Sequence, residues 1–116
     1  MSGVGVTITD PGPDGHRTFL VSLRPGRADW PAAMTADEER ALGEHAQALS
    51  DLADLGRCVI AGPCLDAGLG VAVYDGFTVD EAVAQLATDA MVVAGYFTAE
   101  VRAMRLSFER EKPPTR

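Results

Sequence analysis

Apolar positions along this chain alternate, then recur at helical spacing, then alternate again, and the cycle occurs twice. In the first cycle Phe19, Val21 and Leu23 alternate with Leu20, Ser22 and Arg24, which predicts a strand with one more apolar face. Thr35-Ala36-Asp37-Glu38 is a capping box, in which the threonine and glutamate side chains satisfy backbone N–H groups that a helix start leaves unpaired. It opens a helix predicted from Thr35 to Gly56, whose apolar stripe runs through Leu42, Leu49 and Leu52. Cys58-Val59-Ile60-Ala61 follows as a short, wholly apolar strand that Gly62-Pro63 is expected to break.

The second cycle keeps this order. Leu69, Val71 and Val73 alternate as a strand, Asp75-Gly76 marks a turn, and Thr78-Val79-Asp80-Glu81 is a second capping box. Its helix presents Ala82, Val83, Leu86, Ala87 and Ala90, and a closing strand is expected from Tyr96 to Phe108. That strand changes phase: Phe97, Val101 and Ala103 are apolar at odd positions, Met104, Leu106 and Phe108 at even ones. A strand cannot change its core face without a bulge, a bend or a new partner, so the later half is expected to face another subunit.

Two β–α–β units in tandem give βαββαβ, an α+β, ferredoxin-like arrangement with both helices on one face of an antiparallel sheet. The face without helices needs cover, and face-to-face packing into a homodimer would supply it. The domain is expected over 17–109. Residues 1–16 form a flexible lead-in rich in Gly and Pro, able to add a short strand through Val4, Val6 and Ile8, and 110–116 form a charged tail.

Composition narrows the function. With 116 residues, 47% of them hydrophobic, the chain suits one domain. A net charge of -7 and no basic run argue against nucleic acid and anionic membrane surfaces as partners. No apolar stretch approaches the roughly 20 residues that cross a bilayer. Met1–Asp10 carries no export pattern, so a reducing, cytoplasmic location is expected, with Cys58 a reduced thiol in its strand. Cys58 and Cys64 fit neither a CxxC pair nor a metal knuckle, and His16 and His45 are the only imidazoles. The Gly62–Gly70 stretch has no lysine and no helix after it, so it is no phosphate cradle, and no serine sits in a G-x-S-x-G context. Neither a cofactor nor a metal is expected.

His45 is the residue out of place. It lies three after Leu42 and four before Leu49, on the apolar stripe, where an imidazole needs a partner or a purpose. Asp89, expected near the C-terminal end of the second helix and so opposed to its dipole, is the candidate partner. If the two meet, the carboxylate fixes the imidazole tautomer and makes a general acid–base pair; otherwise His45 is a core histidine bonded to a backbone carbonyl. Trp30 and Met34, in the loop before the first helix, are candidate pocket walls. Tyr74 and Tyr96 are candidate phenolic donors to a ligand oxygen, and Arg24, with Arg27, a candidate holder of a carboxylate or phenolate.

Several of these residues together resemble the YciI-like (YCII-related) family. They are Met34-Thr35 through Glu38, Glu44-His45, Val59-Ile60-Ala61-Gly62-Pro63, and Asp89 through Ala94-Gly95. The resemblance covers roughly residues 18 to 108. It implies a dimeric α+β barrel of ferredoxin-like subunits with a His/Asp pair in a pocket, which His45 and Asp89 would supply. The Asp is commonly followed by Pro in that family, whereas Ala90 follows it here. The resemblance further implies a cofactor-independent lyase or dehydrochlorinase acting on a small hydroxylated molecule. The alternatives are a non-catalytic dimeric protein that binds a small molecule or assists other enzymes, and a relative of cofactor-free monooxygenases.

Overall fold

The computed structural model describes residues 5–110. Its elements are β1 (Val6–Asp10), β2 (Thr18–Pro25), α1 (Ala36–Asp54), β3 (Cys58–Pro63), β4 (Gly70–Asp75), α2 (Val79–Ala87), α3 (Ala90–Val93) and β5 (Phe97–Ala103). The strands form one sheet in the order β1-β5-β2-β4-β3. The molecule is thus a mixed α+β protein.

Both capping boxes form. Thr35 and Thr78 take extended backbone angles, and each hydroxyl accepts from the N–H of the glutamate three residues on. Each glutamate carboxylate accepts in return from the threonine N–H, at 2.9 Å for Glu38 and 2.8 Å for Glu81.

One face of the sheet carries the core. Phe19, Val21 and Leu23 of β2 lie beside Ala99 and Val101 of β5 and beside Ala72 and Tyr74 of β4. These pack with Ala41 and Leu52 of α1, with Ala82 and Leu86 of α2, and with Met91 of α3. All the helices therefore cover the same side. No helix among the described residues is long and apolar enough to cross a membrane.

Several expectations are corrected. The short strand allowed for in the lead-in is β1, which pairs in parallel with β5 and buries Val6 in the core, so the sheet is mixed and not wholly antiparallel. Val4 lies outside the described residues, as does the tail beyond Arg110. β3 continues through Gly62-Pro63, because it is an edge strand and a proline there need donate nothing to a ladder. In β4 the core face is Ala72 and Tyr74; Val71 and Val73 point to the helix-free face, where Val73 registers with Leu20 and Ile60. β4 is apolar on both faces, so alternation could not say which one meets the helices. β5 ends at Ala103, and the phase change read as a bulge or change of partner is the end of the strand.

Candidate functional site

α1 places His45 by burying a face one step away from the expected stripe. Its buried residues are Glu38, Ala41, His45 and Leu52, while Leu42 and Leu49 are half-buried at the edge of that face. His45 is 8% exposed. An imidazole in that position must be partnered, and it is.

Its partner is Asp89, also 8% exposed. His45 Nδ1 and Asp89 Oδ2 are 2.6 Å apart. Asp89 is expected from sequence near the C-terminal end of the second helix, and the structure corrects this: it lies outside that helix. α2 stops at Ala87 with Thr88 as its C-cap; Asp89 is then extended and serves as N-cap of α3, its Oδ1 accepting from the Met91 N–H at 2.9 Å. The carboxylate therefore meets the favourable end of a short helix, not the unfavourable end of a long one. Ala90 occupies the first helical position, where a proline would also fit because that N–H has no helical partner.

This geometry assigns the tautomer. Both Asp89 oxygens accept, one from a backbone N–H and one from the ring, so in its neutral form the imidazole carries its proton on Nδ1 and presents a lone pair at Nε2. Nε2 has no partner among the described residues, yet no sealed-off side-chain nitrogen or oxygen there goes unsatisfied. It is thus reachable, and the space it opens on is a cleft of about 630 Å³.

The cleft has three walls. Trp30, Pro31 and Met34 come from the segment before α1, and Leu42, Ala46 and Leu49 from α1 itself. The β3–β4 hairpin supplies the third, with Pro63, Cys64, Leu65 and Leu69. Leu23 and Phe97 lie between them on the sheet. Phe97 joins the aromatic groups: its ring stands edge-to-face with Trp30 at 5.4 Å and with His45 at 5.8 Å.

Of the residues expected to shape a pocket, Trp30 and Met34 line the cleft and three others do not. Arg24 is on the helix-free face with Glu100, 3.6 Å away. Tyr96 lines a separate shallow recess with Asp37, Arg40 and Glu44. Tyr74 is buried in the core beside Phe77. Its burial, and secondly the charge of Asp89, push its phenol far above the ordinary tyrosine range, so it stays neutral.

Arg27 also does something other than hold a ligand. Its Nε and Nη2 grip both oxygens of Glu38 at 3.0 Å, and Nη1 reaches Asp29 at 2.9 Å and the Ala32 carbonyl at 2.7 Å. Its guanidinium lies 5.2 Å from the centre of the Trp30 ring. Arg27 thus ties the Trp30-bearing segment to the first turn of α1 and fixes one cleft wall.

Sequence reasoning missed Phe97 and the whole hairpin wall. Phe97 gave no signal beyond being apolar in a strand. The Gly62–Gly70 stretch read as a connection because its side chains are chemically plain.

The described residues contain no group of three or more His, Cys, Asp or Glu that could hold a metal ion. The fold and site define an α+β protein with a buried His–Asp pair opening on an apolar cleft. No protein-family model matches the chain, and no curated protein matches it significantly.

Proposed function

We propose that this protein is a cofactor-independent enzyme in which His45 moves a proton at a ligand bound in the cleft. Asp89 holds the ring in its Nδ1–H tautomer and stabilises the imidazolium formed when Nε2 accepts a proton. The observation that carries this reading is the 2.6 Å His45–Asp89 contact, buried at the base of an open cleft. A core histidine needs only one satisfied nitrogen and no cavity in front of the other. The chemistry within reach is proton abstraction followed by elimination or isomerisation, lyase or dehydrochlorinase chemistry on a small hydroxylated molecule.

The architecture of the reading is the ferredoxin-like subunit of the YciI-like family, taken as β2-α1-β3-β4-α2-β5 with β1 added at the edge. Homodimerisation would cover the helix-free face, where Leu20, Val71, Val73 and Ile60 are neighbours across three strands. Sedimentation equilibrium is expected to give twice the 12.2 kDa chain mass, and a monomer at all concentrations would remove the dimer from the reading.

The test of the chemistry is a screen of hydroxylated rings and their chlorinated or acylated derivatives, followed by substitution. His45→Ala should lower turnover by about 10²–10⁴-fold, the usual worth of a positioned acid–base group. Asp89→Asn should do nearly the same, because the amide imposes the other tautomer. Unchanged turnover in a folded His45→Ala protein would end the proposal. The nearly all-apolar lining favours a second reading, a binding protein without chemistry. Tight binding without turnover, for a ligand bearing an abstractable proton, would decide for it.

A further inference from the structure

The cleft states what it can bind by what it lacks. Its nineteen lining residues include no Asp, Glu, Lys, Arg, Ser, Thr, Asn, Gln or Tyr. The side-chain polar atoms available are those of His45, the Trp30 indole and the weakly polar Cys64 thiol. Arg27, whose guanidinium lies over the Trp30 ring, is committed to Glu38, Asp29 and the Ala32 carbonyl. A ligand with several hydroxyls would lose water around each of them and regain few hydrogen bonds. A carboxylate would lose more, with no lysine or arginine on the wall and Asp89 behind the one imidazole that could meet it.

One end of the cleft is different. His45, a residue only 8% exposed, has no partner for Nε2 among the described residues, and its ring stands edge-to-face with Phe97 of the Trp30–Phe97 pair. A single donor on the ligand would satisfy Nε2, and the leucines, prolines and Met34 would take the rest. A volume of about 630 Å³ is in the range that holds a ring with a side chain, with room beyond one bare ring.

We propose that the cleft selects neutral, single-headed ligands: an apolar ring or chain bearing one hydrogen-bond donor, which His45 Nε2 receives, with polyhydroxylated and carboxylated molecules excluded. This rests on the reading of His45 as the group that meets the ligand, and it narrows that reading to molecules with one polar head. Leu65, fully exposed at the hairpin tip, and Leu69 would pack on the apolar end.

Trp30 is the chain's only tryptophan, so its fluorescence reports occupancy directly. The full chain is titrated with para-butylphenol, butylbenzene, para-butylbenzoate and pyrogallol at neutral pH. Para-butylphenol should bind most tightly. Butylbenzene should be weaker by about three- to tenfold, because it buries Nε2 unpaired. The benzoate and pyrogallol should each be weaker by at least about tenfold, from unrepaid desolvation. His45→Phe should erase the preference for the phenol over butylbenzene. Because that variant could fail to fold, ¹⁵N imidazole spectra of the unaltered protein provide the second measurement: His45 Nε2 should shift with para-butylphenol and not with butylbenzene. Benzoate or pyrogallol binding as well as the phenol would overturn the proposal, and so would binding of none of the four. The affinity ranking is independent of turnover. Loss of the ranking with a His45-dependent reaction intact condemns the ligand class alone, and the intact ranking without any reaction condemns the enzyme alone.

Discussion

The two β–α–β halves start with the same local rules and end with different architectures. Both helices open on a T-x-x-E box with nearly superimposable N-cap angles, φ -75° and ψ 164° at Thr35 against φ -72° and ψ 164° at Thr78. Both helical stretches finish on a glycine. Gly56 and Gly95 take φ of +74° and +78°, left-handed values that glycine adopts without a steric penalty. In each case the glycine N–H and the next N–H fold back on the last turn's carbonyls, Ala53 and Leu52 in one, Val92 and Met91 in the other. Between start and stop, however, α1 runs 19 residues without interruption, while the second stretch breaks after 9 and restarts at Asp89. That interruption creates the site. An uninterrupted second helix would have used the Asp89 backbone as one more turn. The break makes Asp89 an N-cap, and α3, packed on α1, directs its carboxylate to His45.

The halves differ in packing as well. Leu86 of α2 is 1% exposed, whereas Leu49 of α1 stands half-buried on the cleft wall. Leu86→Ala should therefore cost about 2–5 kcal/mol in urea unfolding, the range for a buried leucine that leaves a cavity. Leu49→Ala should cost about 1 kcal/mol, since much of its surface is already in the cleft. Equal costs would mean that the cleft is closed in solution and that the contrast between the halves is false.

The doubled grammar of strand, box and helix was legible in the sequence because it is written in local chemistry: threonine and glutamate three apart, alternation in β2, a glycine at each stop. His45 was legible because one imidazole contradicted its neighbours. Its partner was legible by residue type and misjudged by setting. Thr88-Asp89 offers both a helix end and a helix start, and continuing the periodic pattern to Ala90 concealed the break. The stripe through Leu42 and Leu49 was displaced for a related reason. Ala41 is as compatible with a helix core as Leu42 beside it, and only the sheet decides which packs inward. Tyr74, Tyr96 and Arg24 were legible by chemistry alone; register, which is a tertiary property, carries Tyr74 and Arg24 elsewhere, and the turn after α3 carries Tyr96 to the second recess.

Substitutions at the break test whether it serves the site or the fold. Asp89→Ala removes an N-cap, worth about 1 kcal/mol, and leaves a buried imidazole N–H unpaired, worth about 1–3 kcal/mol. A total of about 2–4 kcal/mol is expected from thermal or urea unfolding. Asp89→Asn keeps a side-chain oxygen for the Met91 N–H and should cost less than about 1 kcal/mol. If Asn proves as damaging as Ala, the carboxylate is a structural necessity and the functional reading of the break weakens. The two boxes provide the next comparison. Thr35→Ala and Thr78→Ala should each cost about 1 kcal/mol, as N-cap losses do. The first should be the larger, because its glutamate is buried and the second is exposed.

Acid titration separates the boxes most finely. The Arg27 guanidinium, and then the Thr35 N–H, hold the Glu38 carboxyl below its ordinary value near 4.5. The backbone N–H and hydroxyl of Thr78 hold Glu81 below it too. A carboxylate depressed in the folded state binds its proton more readily when the chain unfolds. Its contribution is complete above the unfolded value and is lost as pH falls through the lower, folded one. Stability should thus decline on acidification below about pH 4.5. Glu81→Gln leaves the first box intact and should remove only the smaller part of that slope. Glu38→Gln should remove the larger part, and it should also loosen the Trp30 segment that Arg27 anchors, seen as a red shift of the single tryptophan's emission. The same emission in both variants would mean that Trp30 is held by its packing on Phe97 without the arginine's help.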